Sequence, residues 1–155
     1  MASNGVLYGV TYYGGQNSTC TSGCGTVFSL TPPASGTGLW TKVTLHIFLG
    51  GSDGYNPNSG VVIGTGGVLY GTTPGGGTGC SGPGCGVLYA LTPPAVPGGS
   101  WTESIVYSFT GGADGASPYF TPALDSNGVL YGSAEGGSGG CFSGAGCGVV
   151  WQYIP

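Results

Sequence analysis

The sequence predicts an all-β chain of antiparallel four-stranded units recurring about every 61 residues, the spacing of Trp40 and Trp101, with an incomplete unit at each end. Three observations predict it. The hexapeptide Asn4-Gly5-Val6-Leu7-Tyr8-Gly9 returns as Gly66-Gly67-Val68-Leu69-Tyr70-Gly71 and as Asn127-Gly128-Val129-Leu130-Tyr131-Gly132, which is the mark of a repeat architecture. No apolar spacing of three and four residues supports a helix anywhere, whereas short runs rich in Val, Leu, Tyr and Thr, bounded by Gly and Pro, read as strands. Charged residues make up 4% of the chain, against roughly 25% in ordinary domains, and glycine is 37 of 155 with no collagen-like period. Aromatic content of 12% argues for order rather than disorder.

The elements follow in order. A strand "b" is expected at 6–11, 68–73 and 129–133, carrying the repeated hexapeptide. Strand "c" is expected at 26–30, 87–91 and 149–153; it stops at Pro32-Pro33 and Pro93-Pro94, because proline has no N–H to give a ladder. Strand "d" is expected at 40–48 and 101–109, followed by a Gly-Gly-x-Asp-Gly turn at 50–54 and 111–115. Strand "a" is expected at 60–63 and 121–124, leading back into b. One domain then covers 1–155, with a partial unit at 1–48, a full unit at 60–109 and a partial unit at 121–155. Residue 1 aligns with the end of a strand a, and Pro155 with Pro93, just before a strand d. Units left open in this way expose strand edges, which recruit other strands.

Cysteines occur as Cys20/Cys24, Cys80/Cys85 and Cys141/Cys147, one pair in each b–c loop. Disulfides are the expected reading: each would clip a hairpin, contributing on the order of 2 kcal/mol by the chain-entropy argument. Zinc is the competing reading, but it takes four ligands and usually mixes in histidine; the single His46 lies elsewhere. Three local disulfides imply an oxidising, extracellular or cell-surface setting. Residues 1–30 show no basic start or apolar stretch of an export signal, so a mature or trimmed form is expected.

Four antiparallel strands in a period of this length are typical of a propeller blade or a related stacked sheet. The order Gly-x-Leu-Tyr-Gly-Thr-Thr, Gly-Gly, Gly-x-Val-Phe-x-Leu-Thr-Pro (with Leu88-Tyr89 for Val-Phe in the full unit), Trp, then Phe-x-Gly-Gly-x-Asp-Gly, carried best by residues 68–73, 86–94, 101 and 109–115, resembles the GloVer tandem repeat of bacterial secreted and surface proteins. The resemblance runs over essentially the whole chain. It implies a β-propeller-like, extracellular or surface protein and brings no catalytic residues with it. A closed propeller needs about 4–8 blades, more than this chain holds.

Composition also excludes functions. A net charge of −4 with one lysine and no arginine lacks the basic face nucleic acids require. No apolar run approaches the ~20 residues of a membrane span. Five acids scattered over the chain and one histidine offer no acid–base pair or activated nucleophile, so an enzyme is not expected, nor a cofactor or catalytic metal. The expected function is an extracellular structural subunit that self-assembles end to end through strand complementation, its partners being other copies of itself. The assembly residues would be Val6, Leu7, Tyr8 and Val10 on the first b strand, and Val149, Val150, Trp151 and Tyr153 on the last c strand. Val43, Leu45 and Ile47 on strand d join them, since their counterparts Ser104, Val106 and Ser108 are mostly polar. Lys42 aligns with Glu103 one period on, so the two are expected to face each other within or between chains. The alternative is a carbohydrate-binding or adhesive module in which Tyr12, Tyr13, Tyr55, Tyr119 or Phe142 stack on glycans.

Overall fold

The structure is a computed structural model that describes Ala2, residues 4–16, 18–137 and 146–155; Cys141 and Phe142 lie outside the described residues. It is all-β, with no α-helix among the described residues. The strands are β1 (Leu7–Thr11), β2 (Thr26–Thr31), β3 (Thr41–Ile47), β4 (Val62–Ile63), β5 (Leu69–Thr73), β6 (Val87–Thr92), β7 (Thr102–Ser108), β8 (Ala123–Leu124), β9 (Leu130–Ala134) and β10 (Val149–Tyr153). They form three antiparallel sheets: β1-β2-β3 (sheet 1), β4-β5-β6-β7 (sheet 2) and β8-β9-β10 (sheet 3). Among the described residues the sheets remain open, and no closed barrel or propeller forms.

The register explains the repeated Leu-Tyr-Gly. Leu7 faces Leu30, Leu69 faces Leu91, and Leu130 faces Tyr153 across the b–c ladders. Two residues on, Gly9, Gly71 and Gly132 face Phe28, Tyr89 and Trp151. Each aromatic ring lies across its glycine so closely that a Cβ there would collide with the ring. Glycine in mid-strand weakens a ladder unless something approaches it closely; here a cross-strand aromatic does, in all three sheets.

Sheet 2 is the centre. Every residue of β6 from Val87 to Leu91 is buried. Leu69, Tyr89 and Leu91 pack against Val27, Phe48 and Cys24 of the sheet 1 side. Leu88, on the opposite face, packs with Phe109 against Leu130, Ala134 and Trp151 of sheet 3. Edge-to-face ring pairs mark both interfaces, Phe48–Tyr89 at 5.1 Å and Phe109–Trp151 at 5.8 Å between centroids. Such pairs are worth about 0.5–1.5 kcal/mol beyond their burial.

Two features depart from the expected strands. Strand a is only two residues long in each case, at 62–63 and 123–124 rather than four. Pro122 has no N–H to extend the second, and Gly60 is a poor strand former in the first. Strand d carries a bulge: Val27 pairs with His46 but Phe28 with Thr44, leaving Leu45 unpaired, and Val106 is left out in the same way on β7. Both bulge residues pack against the cores. The bulge also puts Val43 (opposite Ser29) and Ile47 (opposite Thr26) on different faces, so Val43, Leu45 and Ile47 do not form the single apolar face expected of them.

Candidate interaction surfaces

The disulfides Cys20–Cys24 and Cys80–Cys85 are present, with Cα atoms 5.2 and 5.5 Å apart. They pack on the turn that follows strand d. Gly50 and Gly111 open that turn at φ 80° and 73°, and a side chain at Gly111 would press on both sulfurs of Cys80–Cys85. The turn's aspartate closes it. Asp53 Oδ2 accepts from Leu49 N at 2.6 Å, and Asp114 Oδ2 from Thr110 N at 2.8 Å and from the Tyr107 hydroxyl at 2.9 Å. Partial burial pushes the Asp114 carboxyl up, but hydrogen bonds from the Thr110 hydroxyl and N–H and from Tyr107 outweigh it and hold the group below its usual range. These aspartates therefore spend their oxygens on the bend itself. Two disulfides indicate an oxidising, non-cytoplasmic environment. Among the described residues, no helix is long and apolar enough to cross a membrane.

The assembly residues divide. β1 and β10 are edge strands of their sheets, as expected. Tyr8 and Val10, however, turn inward onto the core between sheets 1 and 2. Val149, Trp151 and Tyr153 pack against the core between sheets 2 and 3. Leu7 stands on the opposite face of β1 from Tyr8, half-buried beside Leu30, and Val6 has its N–H on Asn4 Oδ1 at 3.1 Å. Val150 points away from the core and is 83% exposed; Val43 and Ile47 are exposed and Leu45 is half-buried in the core.

A groove of about 240 Å³ runs beside β10, lined by Leu88, Tyr107, Phe109, Trp151 and Tyr153. One sheet earlier, the counterparts of Tyr107, Phe109 and Asp114 are His46, Phe48 and Asp53, and there β7 of sheet 2 supplies Glu103 against them. His46 Nε2 lies 3.4 Å from Asp53 Oδ1 without the alignment of a hydrogen bond. Burial first, then the Asp53 charge, raises the Glu103 carboxyl from 4.5 to about 7, with His46 acting in the opposite direction. Beside it the Tyr89 hydroxyl is wholly buried with no hydrogen-bond partner, and burial raises its pKa. Lys42 does not meet Glu103. Its ammonium sits over the Phe28 ring, 4.7 Å from the centroid, on the outer face of sheet 1.

The loop tyrosines gather at one end of the sheets. Tyr12, Tyr55 and Tyr119 line one cleft, and Tyr13 meets Tyr12 edge to face at 4.6 Å. Burial, and the neighbouring Tyr12 and Tyr119 hydroxyls, raise the Tyr55 phenol. Sequence reasoning missed Asn56 and Ser117 in the same cleft, and Phe120 in the recess beside it. The signal was present in the alignment of Asn56-Pro57 with Ser117-Pro118, which serves as a register mark before it serves as a site. No protein-family model, curated protein or solved structure matches the chain.

Proposed function

We propose that the chain is an extracellular structural subunit of the GloVer repeat kind, whose blade-like sheets join copies end to end by strand complementation between β10 of one copy and β1 of the next. One observation carries the reading: the groove beside the free edge of β10 lies where, one sheet earlier, β7 is seated against His46, Phe48 and Asp53. An unpaired strand edge next to an apolar groove is the receptor side of strand addition, in which main-chain hydrogen bonds supply affinity and pockets for alternate side chains supply register.

Other features favour the same reading. The exposed Val150 occupies the ladder position that Val27 and Leu88 hold in sheets 1 and 2, where each is buried. A net charge of −4 spread over 155 residues offers little electrostatic resistance to association. The joined surfaces differ from one another, so the contact is heterologous and propagates into a ring or an open filament.

The test is the mass of the non-reduced native chain by light scattering after size exclusion, with negative-stain images. Assemblies well above the 15.1 kDa of one chain are expected. Placing lysine at the exposed positions Val150 and Gln152 blunts the β10 edge; those two substitutions together should return the protein to a single-chain mass with its circular dichroism spectrum unchanged. A monodisperse single chain at every concentration, or assemblies indifferent to the two lysines, overturns the proposal.

A further inference from the structure

We infer that the tyrosine-lined cleft at the loop end of the sheets binds a segment of neutral polysaccharide, an activity separate from assembly. The cleft has a volume of about 220 Å³ and is lined by Tyr12, Tyr55, Asn56, Pro83, Ser117 and Tyr119, among others. Its walls come from loops of sheets 1 and 2 and from the two connections between sheets. Tyr12 follows β1, Tyr55 and Asn56 lie in the connection from sheet 1 to sheet 2, Pro83 in the β5–β6 loop, and Ser117 and Tyr119 in the connection from sheet 2 to sheet 3. An adjoining recess of about 550 Å³ shares Ser117 and Tyr119 and continues to the exposed Phe120. The cleft is thus one stop on a longer track, suited to a chain rather than to a single small molecule.

The walls are held in place before any ligand arrives. The Tyr55 hydroxyl donates to Pro83 O at 2.8 Å, and Tyr55 N donates to Gly75 O at 3.1 Å. Asn56 Nδ2 donates to Tyr12 O at 2.8 Å. Asn56 N and Ser117 N each donate at 2.7 Å to the carbonyl of a disulfide cysteine, Cys24 and Cys85 respectively. Walls fixed in this way leave less side-chain and loop freedom to be lost on binding.

Backbone strain coincides with the cleft. Asn56 and Ser117 have φ of 56° and 49° and are the non-glycine residues with positive φ among the described residues. This chain places glycine at most other such positions, where it adopts that conformation freely. Keeping an amide and a hydroxyl side chain in the left-handed region costs stability, and residues of this sort cluster at ligand-binding sites.

The chemistry of the lining selects the ligand class. No carboxylate, amine or guanidinium lines the cleft, and the recess beyond it adds one carboxylate, Glu135, and no cation; the groups of the cleft are phenol rings, an amide, a hydroxyl and main-chain carbonyls. Tyr12 and Tyr119 are 43% and 37% exposed, so ring surface is available for contact. A pyranose offers flat C–H faces to such rings and hydroxyls to such neutral donors and acceptors. A polyanion would find no cation here, since Lys42, the chain's single basic residue apart from His46, lies over Phe28.

The experiment is calorimetric titration of the intact chain with neutral hexasaccharides (cello-, xylo-, manno-, laminari-, malto- and fully N-acetylated chitohexaose), with heparin hexasaccharide as the charged comparison. At least one neutral probe should bind and heparin should not. Tyr119→Ala should weaken that binding about tenfold, the equivalent of ~1.4 kcal/mol, while Tyr119→Phe keeps the ring and stays within about twofold. Tyr12→Ala should reproduce the loss at a second exposed position, with circular dichroism verifying the fold of each variant. The lysine substitutions on β10 should leave binding unchanged, which separates this inference from the assembly reading. No binding by any neutral probe, binding that survives both alanine variants, or equal binding of heparin overturns it.

Discussion

At the scale of single residues, Glu103 is the group whose environment is most at odds with its charge. It sits half-buried on β7 at the interface with sheet 1, near Asp53 and His46, with the orphaned Tyr89 hydroxyl beside it. Its folded pKa of about 7 lies above the ordinary 4.5. Below about 4.5 the carboxyl is protonated in both states and contributes no pH dependence. Between 4.5 and 7 the unfolded chain releases the proton first, so stability falls as pH rises through that window and levels off above it. Discounted for solvent screening of a half-exposed group, the loss is about 1 kcal/mol. Glu103→Gln should remove this slope: thermal melts at pH 4.5 and pH 8 should differ less in the variant, which should be the more stable protein at pH 8. Equal slopes in both proteins would refute the assignment. Asp114 works in the opposite direction and in another window. Its depressed pKa gives stability that is present above the usual aspartate range and lost as pH falls below it.

At the scale of elements, the hairpin between strands b and c is clipped twice, by the glycine–aromatic contact within the ladder and by the disulfide across the loop. Replacing Cys80 and Cys85 together by alanine releases a short loop and should cost about 2 kcal/mol from chain entropy. Cys85 is also packed against Phe109 and Leu88, so loss of that contact adds to the effect. A urea midpoint that moves by much less would mean the loop stays ordered without its bond. The b and c strands were legible in the sequence because proline pairs and glycine loops punctuate them. Strand d was legible in extent but not in the facing of its side chains. A single bulge at Leu45 reverses the alternation, and nothing in Val43-Thr44-Leu45-His46-Ile47 announces it. Lys42 and Glu103 stand at equal ladder positions, opposite Leu30 and Leu91, but in successive sheets of one chain such positions look in the same direction, so the two do not face each other within the chain. The cleft was half legible: its tyrosines stood out by type, whereas Asn56 and Ser117 are distinguished only by a backbone angle that the fold imposes.

At the scale of the whole molecule, the buried clusters of the described residues join sheet 1 to sheet 2 and sheet 2 to sheet 3, so stability should be distributed along that line rather than shared evenly. Sheet 2 has cores on both faces; sheets 1 and 3 have one each. Amides of β6 should therefore exchange with solvent most slowly. Those of β3, largely exposed along its length and at the edge of sheet 1, and those of β10 at the edge of sheet 3, should exchange fastest. The assembly reading adds a condition at this scale. If β10 of one copy pairs with β1 of the next, raising protein concentration should slow exchange in β1 and β10 while β3, which takes no part in the join, keeps its rate. Hydrogen exchange read by mass spectrometry at two concentrations separates the cases. Slowing confined to β1 and β10 marks the strand join. Uniform slowing across all three sheets would mean that copies associate through a surface that stiffens the whole stack, and strand complementation at β10 would be ruled out.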